Sequence, residues 1–276
     1  MVSSRASFVL LALASILSVI LATATDVQQL SDLPYSYVGE KGPASWGKLD
    51  PSFSTCASGK IQSPVDIVRD QAVVNKSLAP LTRECHPSNA TLVNNGFVIG
   101  VLFEDGRAGG MMLNGKNYAL KQLHWHSPSE HTLDSTQYPL ELHLVHSAPD
   151  GSLAVIAILY DYGQADPFLA KITNQLKELA QDSCSADEES HIPLGVISIR
   201  QVKRGTRKYY RYVGSLTSPP CTEQVTWSIL GKVRSVGKEQ VELLKAPLGA
   251  DYKNNSRPVQ ELEGRKIELY TETDDS

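Results

Sequence analysis

Leu123-His124-Trp125-His126 and Glu141-Leu142-His143 are the two stretches around which the rest of this sequence is arranged. Residues two apart on a β-strand point to the same face of a sheet, so the two histidines of the first stretch would present their imidazoles side by side. The segment from Pro139 to His146 is also apolar and alternating, which is typical of a second strand. If the two strands pair, His143 completes a triangle of three imidazoles.

Three neutral imidazole nitrogens with a fourth position open are how proteins hold catalytic zinc, whereas a structural zinc site closes all four positions. The histidines are concentrated here, because five of the seven in the chain fall within the 23 residues from 124 to 146. We therefore take His124, His126 and His143 as candidate ligands of a Zn²⁺ ion. Spacing alone leaves a second interpretation open, in which they are ordinary histidines hydrogen-bonded in a core.

Length and composition favour a globular protein with a sizeable core, since 41% of the 276 residues are hydrophobic and 20% are charged. This length could hold one large domain or two small ones. No internal repeat, low-complexity tract or linker divides the sequence, so we expect one β-dominated domain. Acidic residues outnumber basic ones, 30 to 26, which gives no indication of a nucleic acid or an anionic membrane as partner.

Residues 1–24 have the features of a secretory signal peptide. Arg5 gives a positive start, Phe8 to Leu21 form an apolar run, and Ala22-Thr23-Ala24 matches a small-x-small cleavage site. The apolar run is short for a membrane span, and a retained anchor is the alternative interpretation. Cleavage would leave a mature domain of residues 25–276 with no membrane anchor, in which the polar residues 271–276 form a loose tail.

Secretion makes the four cysteines candidates for disulfides. Four cysteines allow three pairings, and the residues themselves do not choose among them. Three Asn-x-Ser/Thr sequons favour the same compartment and predict surface loops that could carry glycans. Their asparagines are Asn75, Asn89 and Asn254.

Strand-like segments recur along the chain, most of them β-branched or aromatic and bounded by Gly, Pro, Asn or Asp. They cover residues 90–104, 117–126, 140–146, 153–162, 208–217, 225–233 and 265–270. Two helices are predicted. One begins at Asp166-Pro167, a capping residue followed by proline at the first helical position, and the other covers Gly237 to Ala246. Residues 182–190 are predicted to be an acidic loop.

Two hydrogen-bond acceptors are expected on the strand faces that carry the candidate ligands. Gln122 and Glu141 precede His124 and His143 by two residues, and each could accept the second N–H of an imidazole and so fix its tautomer. A buried carboxylate without a partner is costly, so the alternative for Glu141 is a surface position on an edge strand.

Two further stretches fit structural roles. Ser127-Pro128-Ser129-Glu130 fits a capping box at the start of a helix, and the pattern alone favours that structural role for Glu130. Gly214 to Cys221 contains hydroxyl residues followed by a double proline, which predicts a rigid turn at the end of a strand.

Several motifs, in the same order along the chain, resemble the α-class carbonic anhydrases, and in particular their plant secretory branch. The resemblance runs from Tyr37 to about Leu269. The motifs are Gln62-Ser63-Pro64-Val65-Asp66-Ile67, Gln122-Leu123-His124-Trp125-His126, Ser129-Glu130-His131-Thr132, Glu141-Leu142-His143-Leu144-Val145-His146 and Ser215-Leu216-Thr217-Ser218-Pro219-Pro220. The fold that this resemblance implies is mainly β (α+β), a single domain with a large, twisted, mostly antiparallel sheet of about ten strands and a few short peripheral helices.

The resemblance also implies a role for individual residues. The zinc ligands would be His124, His126 and His143. The acceptors behind them would be Gln122 and Glu141. Thr217 would accept a hydrogen bond from zinc-bound hydroxide and pass its own proton to Glu130, a role that replaces the helix cap. The substrate pocket, with its apolar wall for carbon dioxide, would be formed by Val145, Val155, Leu216, Thr217, Ser218, Val225 and Trp227.

The implied activity is the reversible hydration of carbon dioxide to bicarbonate and a proton, by attack of zinc-bound hydroxide. The sequence departs from the fast members of the family at Phe97, where they have a histidine that shuttles protons near neutral pH. We therefore expect a working hydratase whose proton export depends on buffer. The alternative is a storage or binding protein with the same fold and weak or no catalysis, although such proteins often lose a ligand that is retained here.

The resemblance implies a disulfide between Cys56 and Cys221 and assigns no partner to Cys85 or Cys184, which leaves open whether these two pair with each other or remain free. For the mature protein we expect the cell wall or the cell exterior, with the vacuole or the chloroplast, reached through the secretory route, as alternatives.

Overall fold

Strands make up most of the regular structure in the computed structural model, which describes residues 33–103, 107–182, 190–202 and 207–272. The strands are β1 Asp66–Ile67, β2 Val73–Val74, β3 Arg83–Cys85, β4 Ser88–Asn94, β5 Ile99–Phe103, β6 Gly109–Leu113, β7 Lys116–His126, β8 Thr132–Leu133, β9 Thr136–Gln137, β10 Leu140–Ser147, β11 Leu153–Tyr162, β12 Ser190–Ile197, β13 Lys208–Ser215, β14 Glu223–Leu230, β15 Arg234–Val236 and β16 Glu268–Thr271. The helices are α1 Trp46–Leu49, α2 Thr55–Ser58, α3 Pro167–Lys171, α4 Thr173–Asp182 and α5 Lys238–Lys245. The predicted leader peptide, Cys184, and most of the loop 182–190 and of the tail 271–276 lie outside the described residues.

One sheet of thirteen strands dominates the fold. Ten of its strands follow one path in the order β12-β4-β5-β7-β10-β11-β14-β13-β16-β2, and β3, β6 and β15 attach beside it. Neighbours on this path are antiparallel except β11 with β14 and β16 with β2. The prediction of a mainly β domain with a mostly antiparallel sheet of about ten strands is confirmed. Within the described ranges, no helix is long and apolar enough to span a membrane.

The prediction of one strand over residues 90–104 is wrong, because the chain reverses in its middle. β4 and β5 pair antiparallel on either side of the turn that contains Asn95, Gly96 and Phe97. Gly96 has a φ of +83°, a conformation that glycine adopts without steric cost. Asn95 Oδ1 accepts from the backbone N–H groups of Phe97 (3.1 Å) and Val98 (3.0 Å). Asn-Gly between two apolar runs is a strong hairpin signal, and here it carries Phe97 toward the site described below.

The helix predicted to begin at Asp166 is present with its cap. Asp166 Oδ1 accepts from the backbone N–H groups of Phe168 (2.8 Å) and Leu169 (3.0 Å), and Pro167 occupies the first turn. The helix is interrupted at Ile172, so the predicted single element is α3 followed by α4. The second predicted helix is present as α5.

An apolar core covers each face of the sheet, and β11 contributes side chains to both cores. Its alternate residues Ala154, Ile156 and Ile158 belong to one core, and Val155, Ala157 and Leu159 belong to the other. Burial on both faces explains why this strand is an unbroken apolar run. In β10, Leu142 and Leu144 join the first core, so that His143 and its same-face neighbours point to the opposite side.

His146 is buried on the strand that carries His143: it is 2% exposed, and its Nδ1 lies 3.0 Å from the carbonyl of Leu144. Burial lowers the pKa of His146 from 6.5 to about 4, and the charge of Arg83 acts in the same direction. His146 is therefore protonated near pH 6.5 in the unfolded chain but only near pH 4 in the folded chain. Above pH 6.5 this difference does not affect the free energy of unfolding. As the pH falls from 6.5 to 4, the free energy of unfolding decreases, by roughly 3 kcal/mol in all.

We expect His146→Gln to reduce the loss of stability between pH 7 and pH 4.5 by roughly 2–3 kcal/mol, because glutamine does not titrate. The measurement is the free energy of unfolding in urea at both pH values, compared as a difference so that any packing cost of the substitution cancels. His86→Gln is the matched control, since His86 is an exposed histidine. An equal pH dependence in the native protein and His146→Gln would contradict the assignment.

Candidate metal centre

The three candidate ligands meet because β7 and β10 pair antiparallel. The register places His143 opposite His124, and Glu141 opposite His126. The ring centroids are 5.0 Å apart for His124 and His126, 5.1 Å for His124 and His143, and 4.8 Å for His126 and His143. Their ligand atoms all lie within 4.8 Å of one another. The structure therefore brings together the triangle that the two sequence stretches predict.

The outer nitrogen of each imidazole faces an oxygen that can only accept. His124 Nδ1 donates to Gln122 Oε1 (2.8 Å), and His143 Nε2 donates to Glu141 Oε1 (2.7 Å). His126 Nδ1 donates to the carbonyl oxygen of Asn255 (2.6 Å). These three bonds fix the tautomers, so that the inner nitrogens, Nε2 of His124, Nε2 of His126 and Nδ1 of His143, carry lone pairs.

The inner nitrogens need a cation between them. Nε2 of His124 and Nε2 of His126 are only 3.1 Å apart, and with both tautomers fixed neither carries a proton to share. Two lone pairs at this distance repel, whereas a divalent ion that accepts both removes the repulsion. The donor set of three neutral imidazoles is the one that catalytic zinc uses. The residues present therefore fit Zn²⁺.

Electrostatics keep two of the ligands neutral in the metal-free protein. Burial, together with the neighbouring His126 and His143, holds the pKa of His124 well below its usual range. Burial also lowers the pKa of His126, more than Glu130 raises it. Because only an unprotonated imidazole binds a metal, His124 and His126 are ready for an ion at neutral pH and somewhat below it.

Glu141 is an interior carboxylate, and the alternative of a surface position is wrong, since its exposure is 0%. Oε1 accepts from His143 and from His131 Nδ1, and Oε2 accepts from the backbone N–H groups of Glu130 and His131, all at 2.7–2.8 Å. Burial raises the pKa of Glu141, but the neighbouring imidazoles of His131 and His143, which donate hydrogen bonds to it, outweigh burial and hold this pKa well below its usual range. Glu141 therefore stays ionised behind His143.

The hydrogen-bond chain continues beyond Glu141 through residues that are not among the predicted site residues. His131 Nε2 bonds to the hydroxyl of Tyr212 (2.7 Å), and that hydroxyl bonds to Ser63 Oγ (2.8 Å). Ser63 Oγ in turn accepts from the backbone N–H of Ser215 (3.0 Å). The chain thus ties the support of one ligand to the segment that leads into Thr217.

Glu130 caps no helix, because the structure has none at Ser127–Glu130. Its side chain is 1% exposed, and Oε1 accepts from the backbone N–H of Arg257 (3.0 Å). Oε2 has no hydrogen-bond partner among the described residues, and it lies 3.5 Å from His126 Nε2 and 4.0 Å from His143 Nδ1. The structure thus joins Glu130 to Arg257 and not to Thr217. It leaves one carboxylate oxygen near two of the three lone pairs, those of His126 and His143, which makes the site still more attractive to a cation.

Three successive residues that the sequence did not single out for this purpose hold the ligand strand from behind. We call Asn255–Arg257 the strap. Asn255 supplies the carbonyl for His126, Ser256 Oγ donates to the carbonyl of Pro128, and Arg257 supplies the N–H for Glu130. The side-chain amide of Asn255 also donates to the carbonyl of Phe97 (2.9 Å), which ties the strap to the β4–β5 turn.

A cavity of about 100 Å³ opens over the triangle and is bounded mainly by apolar side chains. The predicted substrate-pocket residues that line it are Val145, Val155, Leu216, Thr217, Ser218 and Trp227. Val225 is 1% exposed in the same apolar core as Trp227 but is not among the lining residues. An apolar wall beside a metal suits a small uncharged molecule better than it suits water or an ion.

Phe97 lies in an aromatic cluster at this cavity and is 5% exposed. Its ring stacks on Tyr35 at 4.2 Å between centroids and meets Tyr252 edge-on at 5.6 Å. Apart from the three histidines, Tyr35 and Tyr37 are the ionisable groups among the described residues that line the cavity, and burial raises the pKa of both. Phe97, Tyr35 and Tyr37 therefore do not gain or lose a proton near neutral pH, as a free histidine would.

The disulfide between Cys56 and Cys221 that the family resemblance implies is present. It joins α2 to the turn that follows Thr217, and Gln62 Nε2 also donates to the carbonyl of Cys221 (3.1 Å). Arg257 Nη2 donates to the carbonyl of Cys56 (3.0 Å), so that the strap is anchored to the same bridge. The bridge thus connects three segments that surround the cavity.

The sequons differ in their surroundings. Asn89 and Asn254 are exposed. Asn75 is half-buried, and its side-chain nitrogen donates to Glu268 Oε1 (2.7 Å).

Comparison with known proteins agrees with this geometry. The sequence model of the eukaryotic-type carbonic anhydrase family matches residues 41–271. Alpha carbonic anhydrase 7 of Arabidopsis thaliana is 43% identical over 245 residues, which cover 89% of this chain and 87% of that protein. The structure of dioscorin complexed with ascorbate has a TM-score of 0.82 at 36% identity and covers 87% of this chain and 99% of dioscorin. The α-carbonic anhydrase from Thermovibrio ammonificans, in complex with the inhibitor sulfanilamide, has a TM-score of 0.75 at 36% identity, with 84% and 97% covered.

The family match spans most of the chain and includes both strands of the histidine triangle, the strap and the turn after Thr217. The chain therefore belongs to the eukaryotic-type, α-class carbonic anhydrase family.

Proposed function

We propose that this protein catalyses the zinc-dependent, reversible hydration of carbon dioxide to bicarbonate and a proton. The observation that carries the proposal is the convergence of three imidazole lone pairs, each fixed by an outer acceptor, at the base of a small apolar cavity. Zinc bound there would lower the pKa of a water molecule enough to supply hydroxide near neutral pH, for which carbonic anhydrases are the usual example.

Thr217 and Glu130 would orient the nucleophile. Glu130 Oε2 is a buried acceptor that lacks a donor within the described residues, and Thr217 is a hydroxyl residue on the wall of the same cavity. A hydrogen bond donated by the Thr217 hydroxyl to Glu130 would leave the threonine oxygen as an acceptor for the attacking group. This arrangement selects for a nucleophile that still has a proton to donate, and turns its free lone pair toward the substrate.

The apolar wall would hold the gas. Val145, Val155 and Trp227 are 1–6% exposed and have no charged group to offer. Carbon dioxide has no net charge, so it loses little by leaving water for this wall, whereas bicarbonate loses much of its hydration there. The difference favours entry of substrate and departure of product.

The direct test is to measure zinc content and carbon dioxide hydration together on the purified mature protein. We expect one zinc per chain and hydration that disappears when a chelator removes the metal and returns when zinc is restored. Hydration at an unchanged rate without metal would overturn the proposal.

Proton export is proposed to limit turnover and to depend on buffer. At saturating carbon dioxide we expect the turnover of the native protein to rise with imidazole concentration, because Phe97 cannot carry a proton out of the cavity. Phe97→His should raise turnover at low buffer and flatten the dependence on imidazole. The measurement is turnover against imidazole concentration for both proteins.

Phe53→His is the matched control for that substitution, since Phe53 belongs to the same aromatic cluster, 6.4 Å from Tyr35, but does not line the cavity. It should behave like the native protein. Equal, buffer-insensitive turnover in the native protein and Phe97→His would show that proton export is not the bottleneck.

A storage or binding protein with this fold is the second candidate function. It is favoured by the similarity to dioscorin, whose structure holds ascorbate, and by the loss of the shuttle histidine at Phe97. All three ligands, Glu130 and Thr217 are retained here, which favours catalysis. A zinc-loaded protein that gives no hydration at high imidazole would decide for the second candidate.

We further propose that the protein enters the secretory pathway, that residues 1–24 are removed, and that the mature domain ends in the cell wall or outside the cell. The disulfide supports an oxidising compartment. Of the three sequons, the exposed Asn89 and Asn254 are better placed for a glycan than Asn75.

A further inference from the structure

A second cavity lies apart from the metal centre. Its volume is about 640 Å³, and it is formed by the loop before α3, the start of β13, the turn between β14 and β15, and β15 itself. It shares no lining residue with the cavity over the histidines. The size falls within the roughly 300–1,000 Å³ that is typical of sites for small organic ligands.

Positive charge dominates its lining although the chain as a whole is acidic. The basic residues that line it are Arg207, Lys208, Lys232 and Arg234. Among the described lining residues the acidic one is Asp166, which is 5% exposed and whose Oδ1 accepts from the N-terminal N–H groups of α3. Basic residues thus outnumber acidic ones four to one among the described residues that line the cavity.

Arg234 is held in place by neutral groups. Its Nη1 and Nη2 donate to the carbonyls of Gln201 and Val202, which fix the guanidinium without neutralising its charge. No ion pair joins Arg234 or Lys232 to a carboxylate within the part of the chain that the structure describes. A fixed guanidinium is suited to planar oxygen pairs such as those of carboxylate and phosphate.

The other two cations are only loosely engaged. Arg207 Nε lies 3.6 Å from Glu272 Oε2, but both side chains are more than half exposed, so that water and salt screen this pair. The stem of Lys208 packs over Gly231, where an added Cβ would come within 2.9 Å of Lys208 Cγ, and its ammonium lies 5.3 Å from the ring of Tyr210. Glycine at position 231 therefore lets the lysine stem form part of the cavity wall.

We propose that this cavity binds a small organic polyanion, a molecule that carries two or more carboxylate or phosphate groups. Two anionic groups are required for two reasons. The charges of Lys232 and Arg234, which lack a carboxylate partner among the described residues, come from different elements, because Lys232 lies in the turn after β14 and Arg234 lies in β15. The cavity volume also far exceeds that of one bicarbonate ion. A singly charged product of the metal centre is therefore not the ligand that this site selects.

The test is a calorimetric titration of the purified zinc-loaded protein with citrate and, separately, with inorganic pyrophosphate, with acetate for comparison. We expect at least one of the two polyanions to bind saturably with one site per chain, and acetate to bind more than about tenfold more weakly. Binding of citrate alone assigns the site to carboxylates, and binding of pyrophosphate alone assigns it to phosphates. Failure of both, or acetate as strong as either, overturns the proposal.

Variants locate the binding. Lys232→Gln and Arg234→Gln should each weaken it about tenfold, the effect of one charge-assisted contact, while carbon dioxide hydration stays unchanged. If Arg234→Gln does not fold, the double variant with Arg207→Gln and Lys232→Gln replaces it in the test, because it alters only exposed side chains. Lys48→Gln and Lys76→Gln are the controls, because both lysines are exposed and line neither cavity. An equal loss in these controls would show a general charge effect and would contradict a defined site.

Discussion

Replacing His126 with alanine should abolish both zinc retention and carbon dioxide hydration. The substitution removes one of the three lone pairs and leaves two protein ligands, which is fewer than catalytic zinc sites use. We expect metal affinity to fall by more than the 10–100-fold that loss of an outer hydrogen-bond partner usually costs. The measurements are zinc content after dialysis against a chelator and the rate of hydration.

Thermal unfolding gives a second readout that does not depend on activity. Zinc that binds only the folded protein stabilises it by about 4 kcal/mol when its free concentration is a thousand times the dissociation constant. We expect zinc to raise the unfolding midpoint of the native protein and to leave that of His126→Ala unchanged. Without metal, His126→Ala should lose no more stability than the small cavity left by the missing ring would cost. The substitution also removes the repulsion between Nε2 of His124 and Nε2 of His126, which are 3.1 Å apart in the native protein.

A graded series makes this prediction specific. Gln122→Leu keeps all three ligands and removes only the acceptor of His124 Nδ1, so it should bind zinc 10–100-fold more weakly and still respond to it. His86→Ala changes an exposed histidine and should behave like the native protein. Tight binding of one zinc by His126→Ala would show that the metal lies elsewhere.

Loss of the Cys56–Cys221 bridge should lower the free energy of unfolding by about 4–5 kcal/mol, because the bridge closes a loop with a sequence separation of 165 residues. For a domain of this size the unfolding temperature should fall by about 10–15 °C. Cys56→Ala, Cys221→Ala and the double variant should lose nearly the same amount, since each breaks the same bond. The measurement is unfolding in urea without reductant, with the native protein in reductant as a fourth case.

The same variants test the contacts around the bridge. Arg257 and Gln62 donate to the carbonyls of Cys56 and Cys221, and these hydrogen bonds remain possible without the sulfur bond. We therefore expect zinc binding to survive at temperatures where the variants are folded. Additive losses in the two single variants, or a loss below about 1 kcal/mol, would contradict a role for the bridge as a constraint on the unfolded chain.

The parts of the site that the sequence predicts are those set by a local period. His124 and His126 share a strand face because they are two residues apart, and Glu141 and His143 do so for the same reason. The pairing of these two strands follows from their nearness in the chain. The acceptor roles of Gln122 and Glu141 have the same origin, which is why the structure brings all five side chains together.

The parts that the sequence does not predict depend on distant contacts or on competing local signals. Asn255 and Arg257 meet their partners across 129 and 127 residues, and no local pattern marks them. Glu130 fits a helix cap by local spacing, but burial beside the histidines overrides it. Asn95-Gly96 is a turn signal inside an apolar run, and the run hid the reversal between β4 and β5.

The strap also sets a limit on chain length at this point. Its three successive residues form hydrogen bonds with His126, Pro128 and Glu130, which are two residues apart. Each step of one residue along the strap thus corresponds to a step of two residues along the opposite segment. An insertion between Asn255 and Arg257 would shift this spacing and withdraw the support of a metal ligand and of the neighbouring acid in a single event. Natural variation in loop length should therefore stop at Asn254, which is exposed, and resume only beyond Arg257.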